Sequence, residues 1–435
     1  MFRKLGKFLN FGLFRNLRFW LAVITLTIVI LKLLIIPYPW PELSPEECTN
    51  PPIEGGKCGF IFDEAHYIPA VRKMLKGWAA NNEHPPLSKA LMMLGILIFG
   101  DNPYGWRTLI TLSGAASVYL VGIIAYELAG NKKLAVLAAL LFGFDISSFN
   151  IGSIAMLDAP ALMFSLLGAL LLLRKKWILS GIVLGLALLS KTSTPFVIAA
   201  LLLYVLLESL YLKKDVRPAL KRWVRVLELT GFVAVAVMIV GLAIYDYSYG
   251  AFKTPFEHID YILNYHSSLT FSGGNVVDMP LSWTNPVKQF PRTPYFIVSV
   301  KVDGKEYHPI AYYGMQTPLW WMTWIVVAFA VYLAYTMLKN GEFPRMELFI
   351  LCWFAMNYLI YFPLAYLFHR WVYPFYFYIT VPVIAMGLPR ILLGDRISEY
   401  ILYGLIIVQI TWFFLYFPVK PEWFTDFLLA IGAPA

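Results

Sequence analysis

Two adjacent carboxylates and two histidines lie in one short stretch of this chain, residues 62–89, between its first apolar segment and the next. Neighbouring side chains on a helix point in different directions, so only one of Asp63 and Glu64 can face a given reacting group. We predict that Asp63 is a general base and that Glu64 supports it. A structural alternative is that Asp63 only caps a helix, with Phe62 and Tyr67 packing as a hydrophobic staple.

The residues after Asp63 predict two helices that would hold it at a membrane surface. A second, short apolar helix over 87–99 is expected to follow Pro85-Pro86, and it is too short to span a bilayer. The carboxylates are therefore expected at the boundary between water and lipid. The first helix is predicted to be amphipathic and to lie on the membrane, because apolar residues recur at helical spacing at Ile68, Val71, Leu75 and Trp78.

The composition excludes several classes of protein. The chain has 435 residues, of which 59% are hydrophobic and 14% charged, and this predicts an all-α polytopic membrane protein rather than a soluble one. The net charge of +9 comes from Lys and Arg in short loops between apolar segments, where they set orientation, so no nucleic-acid partner is expected. Three cysteines cannot build a disulfide framework or a metal cluster. No Gly-rich nucleotide loop or metal-ligand spacing is present, so we expect no cofactor and no metal.

The apolar segments predict a bundle of about eleven transmembrane helices within one membrane domain, residues 1–435, with the N-terminus inside and the C-terminus outside. A first outer loop would cover 38–105, and a long outer loop, 246–317, would separate spans seven and eight. Cys48 and Cys58 share the first outer loop, on the oxidising side, and are expected to form a disulfide. The predicted spans are 19–36, 106–128, 134–149, 154–173, 177–190, 195–212, 226–245, 318–338, 347–368, 371–388 and 399–417.

Ionisable residues at the outer ends of these spans are the second candidate feature. Such residues indicate a functional site by default, and the alternative is that each extends its charged end to the lipid headgroups. One acid and several cations would suit a sugar carried on a lipid phosphate: the cations would stabilise the leaving phosphate, and Asp63 would take the proton from the attacking hydroxyl. The residues are Arg107, Asp145, Asp158, Lys191, His369 and Arg370.

Motifs in the same order along nearly the whole chain resemble the protein O-mannosyltransferase family, within the GT-C class of glycosyltransferases that use lipid-phosphate sugars. FDEAHY at 62–67 resembles the family's first-loop acidic motif, and EHPPLSK at 83–89 resembles its HPPLGK segment, with Ser88 in place of Gly. The chain departs from the family at 314–317, where many members have GNP, and no segment resembles the large soluble lumenal domain of eukaryotic members. Further matches are Gly105-Trp106-Arg107, Ala155-Met156-Leu157-Asp158, the segment 185–191, Tyr265-His266, Trp283, the segment 318–321, and His369-Arg370 with the segment 373–376.

The resemblance implies an inverting transferase that moves a sugar, mannose in this family, from a polyprenyl (dolichyl) phosphate to a Ser or Thr hydroxyl of an exported protein. It implies a multi-pass protein with its site outside the plasma membrane of a prokaryote, or in the endoplasmic reticulum lumen of a eukaryote. Together, resemblance and position assign a catalytic role to Asp63 and Glu64, donor phosphate or lipid binding to Arg107, Lys191, His369, Arg370 and Tyr373, and supporting roles to His66, His84, Lys89, Asp158, His266 and Trp283. For Arg107, the resemblance also implies an alternative role in the architecture of the active site.

Rival functions stay open on the sequence. Within the same class, the acceptor could be a lipid, as in the related aminoarabinose transferases. From another class, a secondary transporter would show internal repeats and helices broken in mid-membrane, and the sequence shows no repeat. A scaffold without activity is a third possibility, and neither the sugar nor the oligomeric state follows from the sequence.

Overall fold

A computed structural model shows an almost entirely helical chain, as the composition predicts. The only strands within its described part are β1 (Val300–Val302) and β2 (Lys305–Tyr307), which pair antiparallel. The basic segment before residue 16 and parts of the predicted long outer loop lie outside the described residues. The structure describes residues 16–49, 57–271, 279–286, 300–302, 305–307 and 310–432.

The helices follow the predicted apolar segments in order. They are α1 (Leu17–Ile35), α2 (Glu64–Leu75), α3 (Leu87–Phe99), α4 (Pro103–Ala129), α5 (Lys132–Gly143), α6 (Ile146–Ile151), α7 (Asp158–Leu173), α8 (Trp177–Ser190), α9 (Thr194–Lys213), α10 (Val216–Val226), α11 (Val233–Tyr249), α12 (Pro255–Ser268), α13 (Pro318–Trp321), α14 (Thr323–Lys339), α15 (Arg345–Phe354), α16 (Tyr361–Tyr366), α17 (Val381–Leu392), α18 (Arg396–Leu415) and α19 (Glu422–Ala430).

Six helices within the described ranges are long and apolar enough to cross a membrane. Two of them are composite, because π-helical turns join α10 to α11 and α15 to α16 into continuous helices. The apolar helices α3, α7, α8, α14 and α17 are shorter. An all-α polytopic membrane fold is thus confirmed, while the number of eleven spans stays a prediction. The six are Leu17–Ile35, Pro103–Ala129, Thr194–Lys213, Val216–Tyr249, Arg345–Tyr366 and Arg396–Leu415.

Three predicted spans are interrupted, and in the eighth the break at Met322 separates α13 from α14. The predicted third span is split into α5 and α6 at Asp145, whose carboxylate caps α6 by accepting from the Ser148 amide at 3.0 Å. The predicted tenth span opens with a 3-10 turn, Pro374–Ile379, before α17 begins. A short polar side chain that binds a free amide favours a helix start, which explains why the predicted third span does not continue as one helix.

The central helix α4 has clear start and stop signals. Asn102 accepts hydrogen bonds from the Tyr104 and Gly105 amides, and Pro103 occupies the first turn, where its missing N–H costs nothing. Gly130 ends the helix in the left-handed region, with a φ of 65°. Helix α4 packs against α1, α3, α5 and α7, so it links the first outer loop to the rest of the bundle.

The first outer loop differs from the prediction in one respect. Its amphipathic helix, α2, buries Ile68 and Val71 inside the protein, while Leu75 and Trp78, the latter 69% exposed, face outwards. Helices α3 and α4 cover much of its apolar face, so that face packs largely against protein, while the place of this helix at the membrane surface stays a prediction. The predicted disulfide is present: Cys48 and Cys58 are bonded, with their Cα atoms 5.6 Å apart.

Helices α3 and α4 approach each other so closely that their contact requires glycine. A Cβ atom at Gly95 would lie 2.1 Å from the backbone oxygen of Gly105, and one at Gly105 would lie 2.1 Å from the oxygen of Gly100. Backbone atoms cannot swing aside as a flexible side chain can. Any larger residue would separate the two helices.

We predict that Gly95→Ala lowers the stability of the folded protein by about 1–3 kcal/mol, the usual cost of overpacking. The measurement is the melting temperature of the purified protein in detergent. Gly404→Ala is the matched control, because Gly404 lies within α18 and a Cβ atom there would meet no atom within 4 Å. Equal melting temperatures for the two variants would contradict the predicted close contact.

Candidate active site

Asp63 stands immediately before α2, in the position of a capping residue, yet its side chain makes no capping hydrogen bond. The carboxylate is half-buried and accepts no hydrogen bond from the described part of the chain. The capping alternative is therefore not realised. Its electrostatic neighbours are His66, Asp158 and Lys191, which come from three separate segments.

The backbone before Asp63 adopts a conformation that bulky residues avoid. Phe62 has a φ of 52°, in the left-handed region, and its ring packs edge-on against Phe375 at a centroid distance of 5.4 Å. Such a conformation costs about 1–3 kcal/mol and persists only where the surroundings impose it, most often at functional sites. The strain therefore marks the approach to Asp63 as a constrained segment.

Burial raises the pKa of Asp63 to about 6; His66 and Lys191 oppose this rise, and Asp158 adds to it. A carboxylate with a pKa near 6 binds a proton more readily than an ordinary one, and it is still mostly ionised at neutral pH. This combination suits a general base. His66 itself is exposed beside Asp63 on the first turn of α2.

Glu64 has a very different environment from its neighbour. Its side chain is fully buried and forms an ion pair with Arg107, with Nε to Oε1 at 2.8 Å and Nη2 to Oε2 at 2.7 Å. It also accepts hydrogen bonds from the amides of Ile61 and Ala155, at 2.8 and 2.7 Å. The prediction that Glu64 acts directly in catalysis does not fit this geometry, because its oxygens are already occupied.

Arg107 is equally saturated. Besides Glu64, its guanidinium donates to the carbonyl oxygens of Ile36, Tyr38 and Gly59 at 2.8 to 2.9 Å, so all five N–H groups have partners. Its side chain has no exposed surface. Arg107 therefore has no donor left for a phosphate, so of the two roles predicted for it the geometry favours the architectural one over phosphate binding.

Asp158 and Lys191 form an ion pair that joins the start of α7 to the end of α8. The ammonium of Lys191 lies 5.1 Å from the ring centroids of both Phe375 and Tyr376. Both charged side chains are largely buried, at 8% and 13% exposure. A cation is thus held next to the Asp63 carboxylate by one acidic partner and two aromatic faces.

His266 and Arg370 form a second charged unit. Arg370 donates from Nε to the His266 carbonyl at 3.0 Å and from Nη2 to its Nδ1 at 3.1 Å. The His266 Nε2 atom lies 3.0 Å from the carbonyl oxygen of Glu83, which can only accept, so Nε2 carries the proton. Burial and the adjacent Arg370 lower the pKa of His266 to about 4. The histidine is therefore neutral.

The unit is completed by a short antiparallel pairing of two loops. The Phe271 amide donates to the His369 carbonyl at 2.8 Å, and the Trp371 amide donates to the Leu269 carbonyl at 2.9 Å. His369 has a φ of 49° and an exposed side chain. The end of α12 is thus attached beside Arg370.

Lys89, on α3, holds the turn at residues 80–84 in place. This lysine is buried, and its ammonium donates to the carbonyls of Ala80, Asn81 and His84. The ring of His84 lies 5.7 Å from the ring of Tyr67 and 5.2 Å from that of His266. Lys89 therefore acts as a structural support, and His84 lies between α2 and the His266–Arg370 unit.

Asp246 and His258 also hold this turn, and sequence reasoning missed them. His258 Nδ1 lies 2.8 Å from Asp246 Oδ1, and its Nε2 lies 2.9 Å from the Asn82 carbonyl. The hydroxyl of Tyr245 donates to the Asn82 side chain at 2.8 Å. The rule applied to other span ends would have found Asp246, because it is an acid at the end of a long apolar helix.

Three further predicted residues lie apart from Asp63 or in apolar packing. Asp145 belongs to a separate buried network with Ser148, Thr317, Trp320 and Gln409, so it does not converge with the others as expected. Trp283 is fully buried, and its ring centroid lies 5.9 Å from that of Tyr358. Tyr373 stacks on Trp371 and Phe375 and is half-buried. Among the described residues, no group of three or more His, Cys, Asp or Glu side chains could hold a metal ion.

The two adjacent carboxylates should respond differently to substitution. We predict that Glu64→Gln destabilises the folded protein by about 3–5 kcal/mol, because it leaves the Arg107 charge buried without its partner. Asp63→Asn is the matched control and should melt near the wild-type temperature, since its side chain makes no hydrogen bond to lose. Thermal unfolding in detergent measures both, and a stable Glu64→Gln protein would contradict the anchoring role.

Sequence comparisons match part of the chain to a known family. The profile of the family described as dolichyl-phosphate-mannose-protein mannosyltransferase matches residues 96–251. The polyprenol-phosphate-mannose–protein mannosyltransferase of Corynebacterium glutamicum is 30% identical over 127 residues, which cover 26% of this chain and 24% of the relative. The corresponding protein of Mycolicibacterium smegmatis is 33% identical over 112 residues, which cover 24% of this chain and 22% of the relative. The chain therefore spans about a quarter of the length of these relatives.

Structural comparisons extend over most of the chain. The Saccharomyces cerevisiae protein O-mannosyltransferase Pmt1-Pmt2 complex bound to the sugar donor has a TM-score of 0.66 at 11% identity, covering 93% of this chain and 90% of that one. ArnT from Cupriavidus metallidurans bound to undecaprenyl phosphate has a TM-score of 0.50 at 15% identity, and the match covers 89% of this chain and 63% of ArnT. These likenesses show a shared GT-C membrane fold. This chain thus resembles the dolichyl-phosphate-mannose-protein mannosyltransferase family in sequence over residues 96–251, and it shares the GT-C membrane fold over most of its length.

Proposed function

We propose that this protein is an inverting glycosyltransferase that moves mannose from a polyprenyl phosphate to a Ser or Thr hydroxyl of an exported protein. The observation that carries the proposal is the Asp63 carboxylate. It accepts no hydrogen bond from the described residues, burial raises its pKa to about 6, and it lies beside a lysine at one end of a membrane bundle. Its relatives by sequence are named for a polyprenol-phosphate-mannose donor and a protein acceptor.

The reaction needs a base and a stabilised leaving group. The acceptor oxygen attacks the anomeric carbon on the face opposite the phosphate and forms the new C–O bond. The old bond between the anomeric carbon and the phosphate oxygen breaks, and the phosphate leaves with the electron pair. Asp63 takes the hydroxyl proton as the oxygen attacks. A carboxylate whose pKa is raised by burial accepts that proton more favourably than an exposed one.

Lys191 and Arg370 are the proposed phosphate ligands. Lys191 has three N–H groups and uses one on Asp158, so two can serve an anion without breaking the ion pair. Arg370 is fixed by the backbone carbonyls of His266 and Trp371, which orients its plane. Because His266 is neutral, it accepts from Arg370 without cancelling or adding charge. The exposed His369 and the half-buried Tyr373 border this unit and are assigned to the lipid side of the donor.

The proposed charge stabilisation uses side chains alone, so it requires no metal ion. Positioned cations stabilise developing negative charge strongly where water is excluded. Lys191 and Asp158, at 13% and 8% exposure, meet that condition. His66, His84 and Lys89 would support the site by surrounding Asp63 and by fixing the turn at 80–84.

The acceptor distinguishes this proposal from its nearest rival. ArnT shares the fold, and a GT-C transferase acting on a lipid would use the same base and phosphate ligands. The sequence similarity, however, is to protein mannosyltransferases. The proposal therefore commits to a protein acceptor, and mass spectrometry of Ser/Thr peptides incubated with polyprenyl-phosphate mannose tests it. Transfer only to a lipid acceptor would overturn this assignment.

The membrane placement belongs to the same proposal. We assign residues 38–105 and 246–317 to the outer side of a single membrane domain, with the Asp63 site facing that side. That side would be outside the plasma membrane in a prokaryote, or the endoplasmic reticulum lumen in a eukaryote. The N-terminal basic segment and the short basic loops would face the opposite side, according to the positive-inside rule.

The base assignment predicts a specific kinetic effect and a pH profile. Asp63→Asn should reduce transfer by a factor on the order of 100 or more while keeping donor binding. In the wild type, the rate should rise with pH through about 6 and then level off, because only the ionised Asp63 can accept a proton and its pKa is raised to about 6. Initial rates at saturating donor and acceptor measure both effects.

Glu46→Gln provides the control for this experiment, because Glu46 is an exposed carboxylate in the same outer loop. It should leave both the rate and the pH profile unchanged. Near-normal turnover by a folded Asp63→Asn protein, or the same profile with and without the Asp63 carboxylate, would refute the assignment.

The phosphate assignment predicts a different kinetic pattern. Arg370→Ala should weaken donor binding roughly tenfold or more and also slow turnover. The reason is that a charged hydrogen bond to the phosphate is lost both in the donor complex and in the transition state. Donor affinity and turnover are measured separately on purified protein. Lys253→Ala removes an exposed cation from the same outer region and serves as the control. If both Arg370→Ala values match the wild type, Arg370 only anchors the chain at the headgroups.

A further inference from the structure

A second group of cations lies far from Asp63, around a surface cavity of about 500 Å³. Arg18 comes from the start of α1, Lys132 from the start of α5, and Arg174 from the turn after α7. Residues distant in sequence thus place three positive charges around one hollow. We call it the cationic cavity, and its remaining lining residues are Asn16, Leu17, Ile123 and Tyr126.

The cationic cavity lies at the end of the bundle opposite the proposed active site. Arg107, at the start of α4, bonds to the carbonyl of Ile36, just after the end of α1, so these helix ends lie at the Asp63 side. The cavity lies at the start of α1 and near the end of α4, and α4 is 27 residues, or about 40 Å, long. The two sites are thus separated by roughly the full thickness of a bilayer.

The charge around the cavity favours an anion. Arg174 donates from Nε to Glu127 at 3.1 Å and keeps 46% of its side chain exposed. Arg18 and Lys132 add two further cations to the lining of the cavity. A group with several acceptor oxygens, such as a phosphate, suits this arrangement.

The walls of the cavity indicate that the anion carries an apolar portion. Leu17 and Ile123 line the hollow together with the cations, and Ile123 lies about two helical turns inside the end of α4. The neighbouring Phe19 exposes 54% of its surface, as expected for a residue that faces lipid tails. An amphiphile would contact both parts of the cavity, with its phosphate at the cations and its tail along the apolar residues.

We propose that the cationic cavity binds the phosphate headgroup of an acidic phospholipid in the leaflet opposite the active site. Basic pockets between membrane helices bind such headgroups through Arg and Lys, and each cation near the surface contributes to the binding. The ligand is the intact lipid rather than free phosphate, because the apolar wall adds contacts that an inorganic ion cannot make. This proposal does not depend on the transferase activity.

The test uses the full-length protein in detergent and three probes: dioctanoyl phosphatidylglycerol, dioctanoyl phosphatidylcholine and inorganic phosphate. Native mass spectrometry measures bound molecules and their apparent affinity. The test variant is Arg18→Gln with Lys132→Gln, which leaves the Arg174–Glu127 pair in place. The control is Lys214→Gln with Lys339→Gln, which removes two exposed cations that do not line the cavity.

The wild type and the control should bind phosphatidylglycerol at least about tenfold more tightly than phosphatidylcholine, and the test variant should lose most of this preference. Melting temperatures verify that both variants are folded, and if the double variant does not fold, Arg18→Gln alone is compared with Lys214→Gln. Equal loss in test and control variants, or no preference in the wild type, would overturn the proposal. Binding of inorganic phosphate as tight as that of phosphatidylglycerol would overturn the lipid as ligand. Loss of transfer activity would leave these results unaffected.

Discussion

The buried pair of Glu64 and Arg107 holds together the part of the fold on which the proposed site depends. Two charges without any exposed surface are expensive to desolvate, and a buried ion pair is weak evidence for net stability. Here the remaining hydrogen-bonding capacity of both partners is filled by backbone groups of residues 36, 38, 59, 61 and 155. The pair therefore specifies how the first outer loop is placed on α4. Asp63, the preceding residue, takes its position from this placement.

The two neighbouring acids show how environment separates residues of similar chemistry. Glu64 is fully buried and its charge is matched by Arg107, so it is committed to structure. Asp63 is half-buried without a hydrogen bond, and desolvation raises its pKa to about 6. The same contrast between a saturated and an unsaturated carboxylate distinguishes structural from catalytic acids in other enzymes. The backbone of Phe62 is strained, and this strain is the energetic cost of placing the two neighbouring side chains in different environments.

The polar groups around Asp63 are held in place by side chains from several helices. Lys89 fixes the turn at 80–84 from α3, and His258 with Asp246 fixes it from α12 and α11. His266 attaches the same turn to Arg370, so a displacement of α12 would be transmitted to a proposed phosphate ligand. A site preorganised in this way needs little reorganisation as charge develops in the reaction. At the far end of α4, the cationic cavity would bind a lipid headgroup of the opposite leaflet. Helix α4 would then be held in place at both membrane surfaces.

Local sequence features were enough to predict the helical membrane class, the order of the apolar segments, the two short helices of the first outer loop and the Cys48–Cys58 disulfide. These follow from local quantities: apolar run length, capping residues such as Asn102, and the spacing of two cysteines. The sequence also singled out Asp63, whose role as base remains a prediction.

Which polar side chains already have all their hydrogen bonds filled depends on packing between distant segments, and it became visible only in the folded chain. Spacing placed Glu64, Arg107 and Lys89 near the site, but the backbone carbonyls and amides that saturate them come from distant segments. The same reason explains why α2 turned out to be covered by protein, why Asp145 belongs to a separate network, and why Asp246 and His258 were missed. A side chain's availability for chemistry depends on partners brought together by packing, and local sequence carries no information about those partners.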